Sequence, residues 1–316
     1  GSAAINVASM TDGGGSFALS AGDGTQTGAI TFIGNATFAT LTTFASAYDI
    51  AFQGAASVID TDTTFLNTGA VTLGNDAGDS TTFTGGLDTT AGPSGTNIAG
   101  IVQTTNTQMD LGATTMTAAS QLISGSAAIH IGSITDAPGD FTLSAGNGTQ
   151  TGAISFLGDA TFNTLTTFAS NYDIVFRGGT TTIDTDTTFA NTGALTLGDG
   201  GDNLTFTGGL DTTSALNGTY IAGIVQTTNT QMDLGATTMT AASQLISGSA
   251  AINVASMTDG GGSFALSVGD GTQTGAITFV GNATFATLTT FASAYDIAFQ
   301  GAANVIDTDT TFLNTG

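Results

Sequence analysis

The sequence predicts an all-β fold, a parallel β-solenoid (β-helix) in which short strands stack coil upon coil. Three observations predict it. Glycine supplies 46 of the 316 residues while lysine and glutamate are absent, one long unit is repeated along the chain, and short apolar segments alternate with turn residues. This composition disfavours helices, and a repeat of short strands and turns is typical of a solenoid.

The composition suits short strands that are joined by tight turns. Threonine, valine, isoleucine and phenylalanine pack well on a pleated surface, whereas glycine, asparagine and aspartate bend the chain. Hydrophobic residues make up 40% of the chain and there are 20 phenylalanines. Because this is enough apolar surface to bury a core, we do not expect a disordered chain. Cysteine is absent, which excludes a disulfide scaffold.

The chain holds about two and a half copies of one unit. The sequence GSAAI occurs three times, at spacings of 124 and 123 residues. The copies so defined are repeat 1, repeat 2 and a partial repeat 3, which span residues 1–124, 125–247 and 248–316. No distinct capping segment is visible in the sequence, so we expect one continuous solenoid that belongs to a longer array.

The copies are similar enough to predict one structure for all of them. Residues 98–129 recur unchanged as 221–252, and residues 1–69 recur as 248–316 with three substitutions. The substitutions exchange Ala21 for Val268, Ile33 for Val280 and Ser57 for Asn304.

Short apolar segments recur every ten to thirteen residues within each copy. Most place two apolar residues two positions apart, as Ile30 and Phe32 do, which is typical of a strand with one buried face. Two or three such segments per coil predict coils of about 20–25 residues and about 13–15 coils. An array of immunoglobulin-like sandwiches is the alternative, because one repeat is close to one such domain in length. The missing tryptophan and the short, evenly spaced segments favour the solenoid.

The aromatic residues are predicted to lie in the core. We expect this of Phe32, Phe38, Phe44, Phe52, Phe65 and Phe83. An aromatic sugar-binding platform is the functional alternative, but it would use exposed tryptophan or tyrosine. Three of the four tyrosines, Tyr48, Tyr172 and Tyr295, stand at one repeated position before aspartate, which a structural role explains.

The stretches FALSAGDGTQTGAITFIGNATFATLTTFASAYDIAFQG and NTGAVTLG resemble the repeats of giant bacterial surface proteins. These are adhesins of the filamentous-haemagglutinin and autotransporter type. The resemblance covers the whole chain through strand-and-turn patterns. It implies a right-handed parallel β-helix, secretion, a filament role at the bacterial cell surface or outside the cell, and no enzymatic activity in the repeat. It carries over no functional residues.

The net charge of the chain limits the kinds of molecule that it can bind. The chain has 24 acidic residues, all aspartate, against Arg177 and His130, and its net charge is −23. This charge repels nucleic acid and anionic lipid, and no apolar run is long enough to span a membrane. We therefore expect divalent cations and further copies of the chain itself as partners, in lateral or end-to-end association.

The titratable residues that catalysis needs are scarce. His130 occupies a position that is Asn6 or Asn253 in the other copies, and Arg177 replaces Gln53 or Gln300. Both are predicted to be solvated surface side chains, since the partners of a catalytic group are missing. We therefore expect no enzymatic activity.

The aspartates are the best candidates for binding. Asp199 and Asp202 lie in a segment that is one glycine short of the calcium-binding nonapeptide, and Asp76 and Asp79 lie in the matching region of repeat 1. Calcium prefers such hard oxygen ligands and would be the only expected cofactor. The alternative is that these aspartates cap turns.

The sequence IDTDTTF suggests a third possible function, which is ice binding. On a strand, Asp60 and Asp62 would share one face, and Thr61 and Thr63 would share the other. Threonine ladders of this kind can bind ice, although the pattern occurs only once per copy. The best-supported function is therefore a non-catalytic structural region of a fibre or adhesin stalk, and the alternative is a calcium-stabilised module that itself binds a surface or ligand.

Overall fold

The protein is built from β-strands alone throughout the part of the chain that the structure describes. This computed structural model describes residues 1–136, 138–214 and 217–316. In those ranges no helix is long and apolar enough to cross a membrane. The chain divides into two compact units, Gly1–Leu157 and Gly158–Gly316. Each unit is a parallel β-solenoid, and the chain makes about 14 turns in all.

The strands of the first unit are β1 (Ile5–Val7), β2 (Met10–Thr11), β3 (Ala18–Ser20), β4 (Ile30–Phe32), β5 (Ala36–Phe38), β6 (Thr40–Thr42), β7 (Ile50–Phe52), β8 (Ala56–Ile59), β9 (Thr63–Thr64), β10 (Val71–Leu73), β11 (Ser80–Phe83), β12 (Leu87–Asp88), β13 (Thr96–Thr104), β14 (Met109–Ile123), β15 (Ile129–Asp136), β16 (Thr142–Ala145) and β17 (Ile154–Phe156).

The strands of the second unit are β18 (Ala160–Phe162), β19 (Thr164–Thr166), β20 (Ile174–Phe176), β21 (Thr180–Ile183), β22 (Thr187–Thr188), β23 (Leu195–Leu197), β24 (Asn203–Phe206), β25 (Leu210–Asp211), β26 (Thr219–Thr227), β27 (Met232–Ile246), β28 (Ile252–Thr258), β29 (Ala265–Val268), β30 (Ile277–Phe279), β31 (Ala283–Phe285), β32 (Thr287–Thr289), β33 (Ile297–Phe299) and β34 (Val305–Ile306).

Each coil contributes a short strand, or a segment of a longer one such as β13 or β14, to each of three parallel ladders. In the first unit one ladder begins Ile5, Ile30, Ile50, and its partners lie 18 to 25 residues apart, from Thr96 with Thr114 to Ile5 with Ile30. The predicted parallel solenoid is confirmed, with coils slightly more variable than expected. The immunoglobulin-like alternative is wrong, because a sandwich pairs its strands antiparallel and each strand pair described here is parallel.

The sequence repeat does not match a whole number of coils. Ile5 and Ile129 are equivalent residues of successive copies, yet they lie on different ladders. The ladder of Ile5 continues through five coils to Thr114. Ile129 comes two ladder segments later, on the ladder that runs through Leu87 and Met109. One copy therefore winds five coils and two of the three strands of a sixth.

The second unit repeats this displacement independently. Ile174 lies on a ladder that reaches Ala283 after five coils. Its equivalent in the third copy, Ile297, belongs instead to the ladder of Thr187 and Leu210. Equivalent surface residues of successive copies therefore lie a third of a turn apart around the solenoid.

The core is formed by the inward side chains of all three ladders. In β4 and β7 the first and third residues are buried while the middle one is half-buried. Phe32 and Phe52 stack from one coil to the next, with ring centroids 4.9 Å apart. The predicted core is confirmed for five of the six phenylalanines, which are at most 2% exposed. The sixth, Phe44, is half-buried in the segment between β6 and β7.

A buried glutamine joins consecutive coils where repeat 1 meets repeat 2. Gln150 is fully buried. Its Oε1 accepts hydrogen bonds from the backbone N–H groups of Ser124 (3.1 Å) and Gly125 (3.0 Å). Its Nε2 donates to the Ser124 hydroxyl and to the Gly152 carbonyl, both at 2.9 Å. Because all four hydrogen-bonding positions of the amide are used, a polar group is tolerated in the core.

Candidate functional site

The loop between β10 and β11 holds Asp76 and Asp79, two of the predicted calcium ligands. Asp79 is 7% exposed, and its Oδ2 accepts hydrogen bonds from the backbone N–H groups of Asn75 (2.9 Å) and Asp76 (3.1 Å). Asp76 is exposed and its Oδ1 accepts from the N–H of Gly78 at 3.0 Å. Both carboxylates therefore cap the turn that contains them.

The loop between β23 and β24 holds the equivalent pair, Asp199 and Asp202. Asp202 is 6% exposed, and its Oδ2 accepts the backbone N–H of Asp199 at 2.7 Å. Its carbonyl accepts the N–H of Ile224 on β26 at 2.7 Å. Although this loop is one residue shorter than its counterpart in repeat 1, it keeps the same buried aspartate before the next strand. The one-residue deletion therefore changes the exposed part of the turn and keeps the cap.

Asp76, Asp79 and Asp202 have the turn-capping role that the sequence left as the alternative to calcium, whereas Asp199 contributes its backbone N–H to the cap that Asp202 forms. Within the ranges that the structure describes, no three side chains of the metal-binding types form a group that could hold an ion. Calcium binding at Asp76, Asp79, Asp199 and Asp202 stays a prediction. Any ion there would compete with backbone N–H groups for the two buried carboxylates.

The IDTDTTF segments do not form the strand that an ice-binding face would need. Strand β8 ends at Ile59, so Asp60 and Asp62 lie in the corner that follows it, and both are exposed. Thr61 is exposed, whereas Thr63 is fully buried at the start of β9. The prediction that these two threonines share one face is wrong. The alternating pattern ends where the chain turns, and the inward position of Thr63 belongs to the next ladder.

A pair of neighbouring carboxylates escaped the sequence analysis. Asp88 at the end of β12 is the direct ladder partner of Asp110 on β14, and Asp110 is in turn the partner of His130 on β15. Adjacent strands lie about 4.8 Å apart, so the two carboxylates are neighbours on the outer surface. The recurring LD and MD dipeptides were the available signal, but only the register shows that they meet.

Local donors surround this pair. Asp110 accepts hydrogen bonds from the Gln108 amide at 2.9 and 2.8 Å, and His130 Nδ1 lies 2.9 Å from its Oδ1. Asp88 Oδ1 instead accepts from the backbone N–H (2.7 Å) and hydroxyl (2.6 Å) of Thr90. His130 is therefore partly exposed, as predicted, but paired rather than simply solvated.

The second unit builds the same arrangement from repeat 2. Asp211 and Asp233 are ladder partners, and Asp233 pairs with Asn253 on the next coil. The Asn253 amide donates to Asp233 Oδ1 at 2.8 Å, where His130 stands in the other copy. Because asparagine and histidine make the same contact, the position serves coil-to-coil hydrogen bonding. Arg177, the other predicted surface residue, is exposed after β20.

Three of the four tyrosines lie inside the solenoid and cannot form a sugar-binding platform there, and Tyr220 is half-buried on β26. Tyr48, Tyr172 and Tyr295 are each 1% exposed. The Tyr48 hydroxyl donates to the Ala21 carbonyl (2.7 Å) and accepts the N–H of Phe44 (2.9 Å). Burial raises the pKa of Tyr48, and it raises the pKa of Tyr172 to about 12. The structural role predicted for these residues agrees with this geometry.

Comparison of the chain with models of protein families, with curated proteins and with solved structures finds no match.

Proposed function

We propose that this chain is a non-catalytic structural region of an extracellular bacterial fibre or adhesin stalk, whose function is to provide length and self-assembly. The observation that carries the proposal is the continuity of the solenoid across the junctions between copies. Strand β14 closes repeat 1 and pairs with β15 of repeat 2, and β27 closes repeat 2 and pairs with β28 of repeat 3. The copies join within a coil, and no linker separates them.

Because the copies join within a coil, the solenoid can be lengthened by whole copies without a change in the sequence of each copy. In a solenoid each coil contacts only its neighbours, so its stability is approximately a sum of coil and interface terms. A duplicated unit presents at its end the strand edges that the next unit needs. Near-identical copies, such as residues 98–129 and 221–252, are expected of a sequence that has been lengthened in this way.

The acidic surface fits an extracellular role. With a net charge of −23, copies of the chain repel one another at low ionic strength and stay soluble. Self-association then requires either screening by salt or divalent cations between neighbouring carboxylates. The surface offers such carboxylates on each coil-to-coil aspartate pair.

Cryo-electron microscopy of the native source material tests the proposal. Long fibres or rods at the cell envelope, with density that follows stacked coils, are the expected result. A distinct distal knob on single rods would assign the chain to an adhesin stalk, and laterally joined fibres would assign it to a matrix. Isolated intracellular globules would contradict the proposal.

A second candidate is a calcium-stabilised adhesion module, which the neighbouring pairs Asp88–Asp110 and Asp211–Asp233 favour. Thermal unfolding in calcium, in magnesium and in a chelator tests it. A calcium-specific rise in the unfolding temperature that Asp110→Asn together with Asp233→Asn reduces would support this candidate. Equal stabilisation by both ions would indicate charge screening alone.

A further inference from the structure

Two exposed asparagines stand at one repeated position and each precedes a threonine by two residues. Asn35 lies between β4 and β5 and is followed by Ala36 and Thr37. Asn282 lies at the same place in repeat 3, between β30 and β31, and is followed by Ala283 and Thr284. The sequence Asn–x–Thr, where x is not proline, is the acceptor pattern for asparagine-linked sugar.

In both asparagines the oxygen and the nitrogen of the side-chain amide differ in their contacts. Asn35 Oδ1 accepts the backbone N–H of Ala56 on the next coil at 3.0 Å. Asn282 Oδ1 accepts the N–H of Ala303 at 3.0 Å. Neither Nδ2 donates a hydrogen bond to the described part of the chain, and both residues are exposed. The oxygen is therefore held by the fold while the nitrogen faces solvent.

The middle copy shows that the fold needs only the oxygen. Asp159 replaces asparagine there, and its Oδ1 accepts the backbone N–H of Thr180 at 2.9 Å. This is the contact that Asn35 and Asn282 make in their own copies. An aspartate thus performs the structural role equally well, and the amide nitrogen of Asn35 and Asn282 is free for another role.

We propose that Asn35 and Asn282 carry asparagine-linked sugar, and that Asp159 marks the copy that lacks it. Nδ2 forms a bond to the anomeric carbon of a glycosyl diphosphate. The bond from that carbon to the diphosphate oxygen breaks, the electron pair leaves with the diphosphate, and one Nδ2 proton passes to a base of the transferase. The amide carbonyl is retained, so the Oδ1 hydrogen bond to the next coil survives.

The order of events follows from burial. Ala36 and Ala283 are fully buried in their strands. A transferase therefore cannot bind the acceptor segment in an extended conformation once the coil has folded. The sugar is therefore added before or during folding. After folding it projects from the corner into solvent, where bulky glycans are tolerated. Asn203 and Asn217 also precede threonine by two residues but have no aspartate at their position in repeat 1. Asn147 precedes Thr149 and is replaced by Asp23 and Asp270 in the other copies, but it is half-buried and its Oδ1 accepts the N–H of Thr149 within its own turn (2.9 Å) rather than that of the next coil.

This proposal rests on the extracellular fibre proposed above, since asparagine-linked sugar belongs to exported chains. The test is mass spectrometry of protein from the native source after cleavage before aspartate. The expected result is a sugar on Asn35 and on Asn282 and none on the peptide that contains Asp159. A single hexose indicates a nucleoside diphosphate donor, and a preassembled oligosaccharide indicates a lipid diphosphate donor. Unmodified Asn35 and Asn282 would overturn the proposal.

Variants made in the native host sharpen the test. Thr37→Ala is expected to abolish the sugar on Asn35 and leave the one on Asn282, whereas Thr37→Ser retains both. Sugar that persists on Asn35 in Thr37→Ala would overturn acceptor-directed transfer. Electron microscopy of the same samples keeps the two proposals distinct, because fibres with unmodified asparagines reject only the sugar. Absence of fibres rejects the proposed function.

Discussion

The buried amide of Gln150 lies where repeat 1 meets repeat 2, and replacing it tests whether that junction is held by specific hydrogen bonds. Gln150→Leu keeps a similar volume but removes the four side-chain hydrogen bonds described above. Two of the groups left without a partner are the backbone N–H groups of Ser124 and Gly125. Ser124 is fully buried, whereas Gly125 is only partly so.

The expected loss follows from the cost of leaving buried polar groups unpaired. Each such group costs about 1–3 kcal/mol, so the two N–H groups together predict destabilisation of about 2–4 kcal/mol after a gain from burying leucine. The Ser124 hydroxyl keeps its hydrogen bond to the Ala127 carbonyl. The control is Gln103→Leu, which removes one hydrogen bond to the Thr82 hydroxyl from a half-buried side chain. We expect less than about 1 kcal/mol there.

Denaturant unfolding and native-state hydrogen exchange measure this prediction. Because coils of a solenoid can open locally, exchange at Ser124 and Gly125 is expected to accelerate in Gln150→Leu while amides several coils away keep their protection. Wild-type stability in Gln150→Leu, or an equal loss in Gln103→Leu, would refute the reasoning.

Three further predictions concern the buried tyrosine, alkaline pH and proteolysis. Tyr295→Phe removes hydrogen bonds to the Val268 carbonyl (3.0 Å) and from the Phe291 N–H (2.9 Å). Denaturant unfolding should show that the free energy of unfolding falls by about 1–3 kcal/mol, and an unchanged midpoint would contradict this. The pKa of Tyr172 is raised to about 12 from 10.0, so its contribution is intact below pH 10 and is lost as the pH rises to about 12; circular dichroism unchanged while every tyrosine ionises would contradict it. Trypsin should leave the native chain uncut at Arg177, because cleavage needs local unfolding, and should give two fragments after denaturation; two fragments within minutes under native conditions would contradict this.

The fold could be predicted because its signals are local. Paired apolar residues such as Ile30 and Phe32 mark each strand, and turn residues mark each corner, so strand type, core phenylalanines and coil number follow from spacing alone. The repeated tyrosine position likewise indicated a structural role, which the hydroxyl contacts of Tyr48 explain.

The surface could not be predicted in the same way, because it depends on register. Asp88 and Asp110 are brought together only by the length of the coil between them, and coils vary from 18 to 26 residues. The same variation hides the third-of-turn displacement between copies. The prediction of a strand at Asp60 and Asp62 was wrong because the chain turns there. No glycine or proline in this segment indicates the turn.

Buried polar residues were missed for a related reason. Gln150 lies among turn residues, which are typical of solvated positions, but its amide accepts hydrogen bonds from backbone N–H groups of the preceding coil. Only contacts between residues about one coil apart show that such a side chain is buried and hydrogen-bonded.

The central claim is that each copy winds five and two-thirds coils and that successive copies join within a coil. It is tested most directly by imaging chains into which one, two or three extra copies of residues 125–247 have been inserted, and measuring their contour length. With strands about 4.8 Å apart, each copy should add about 27 Å without a visible joint. Copies that appear as separate beads, or that add no constant length, would contradict the account.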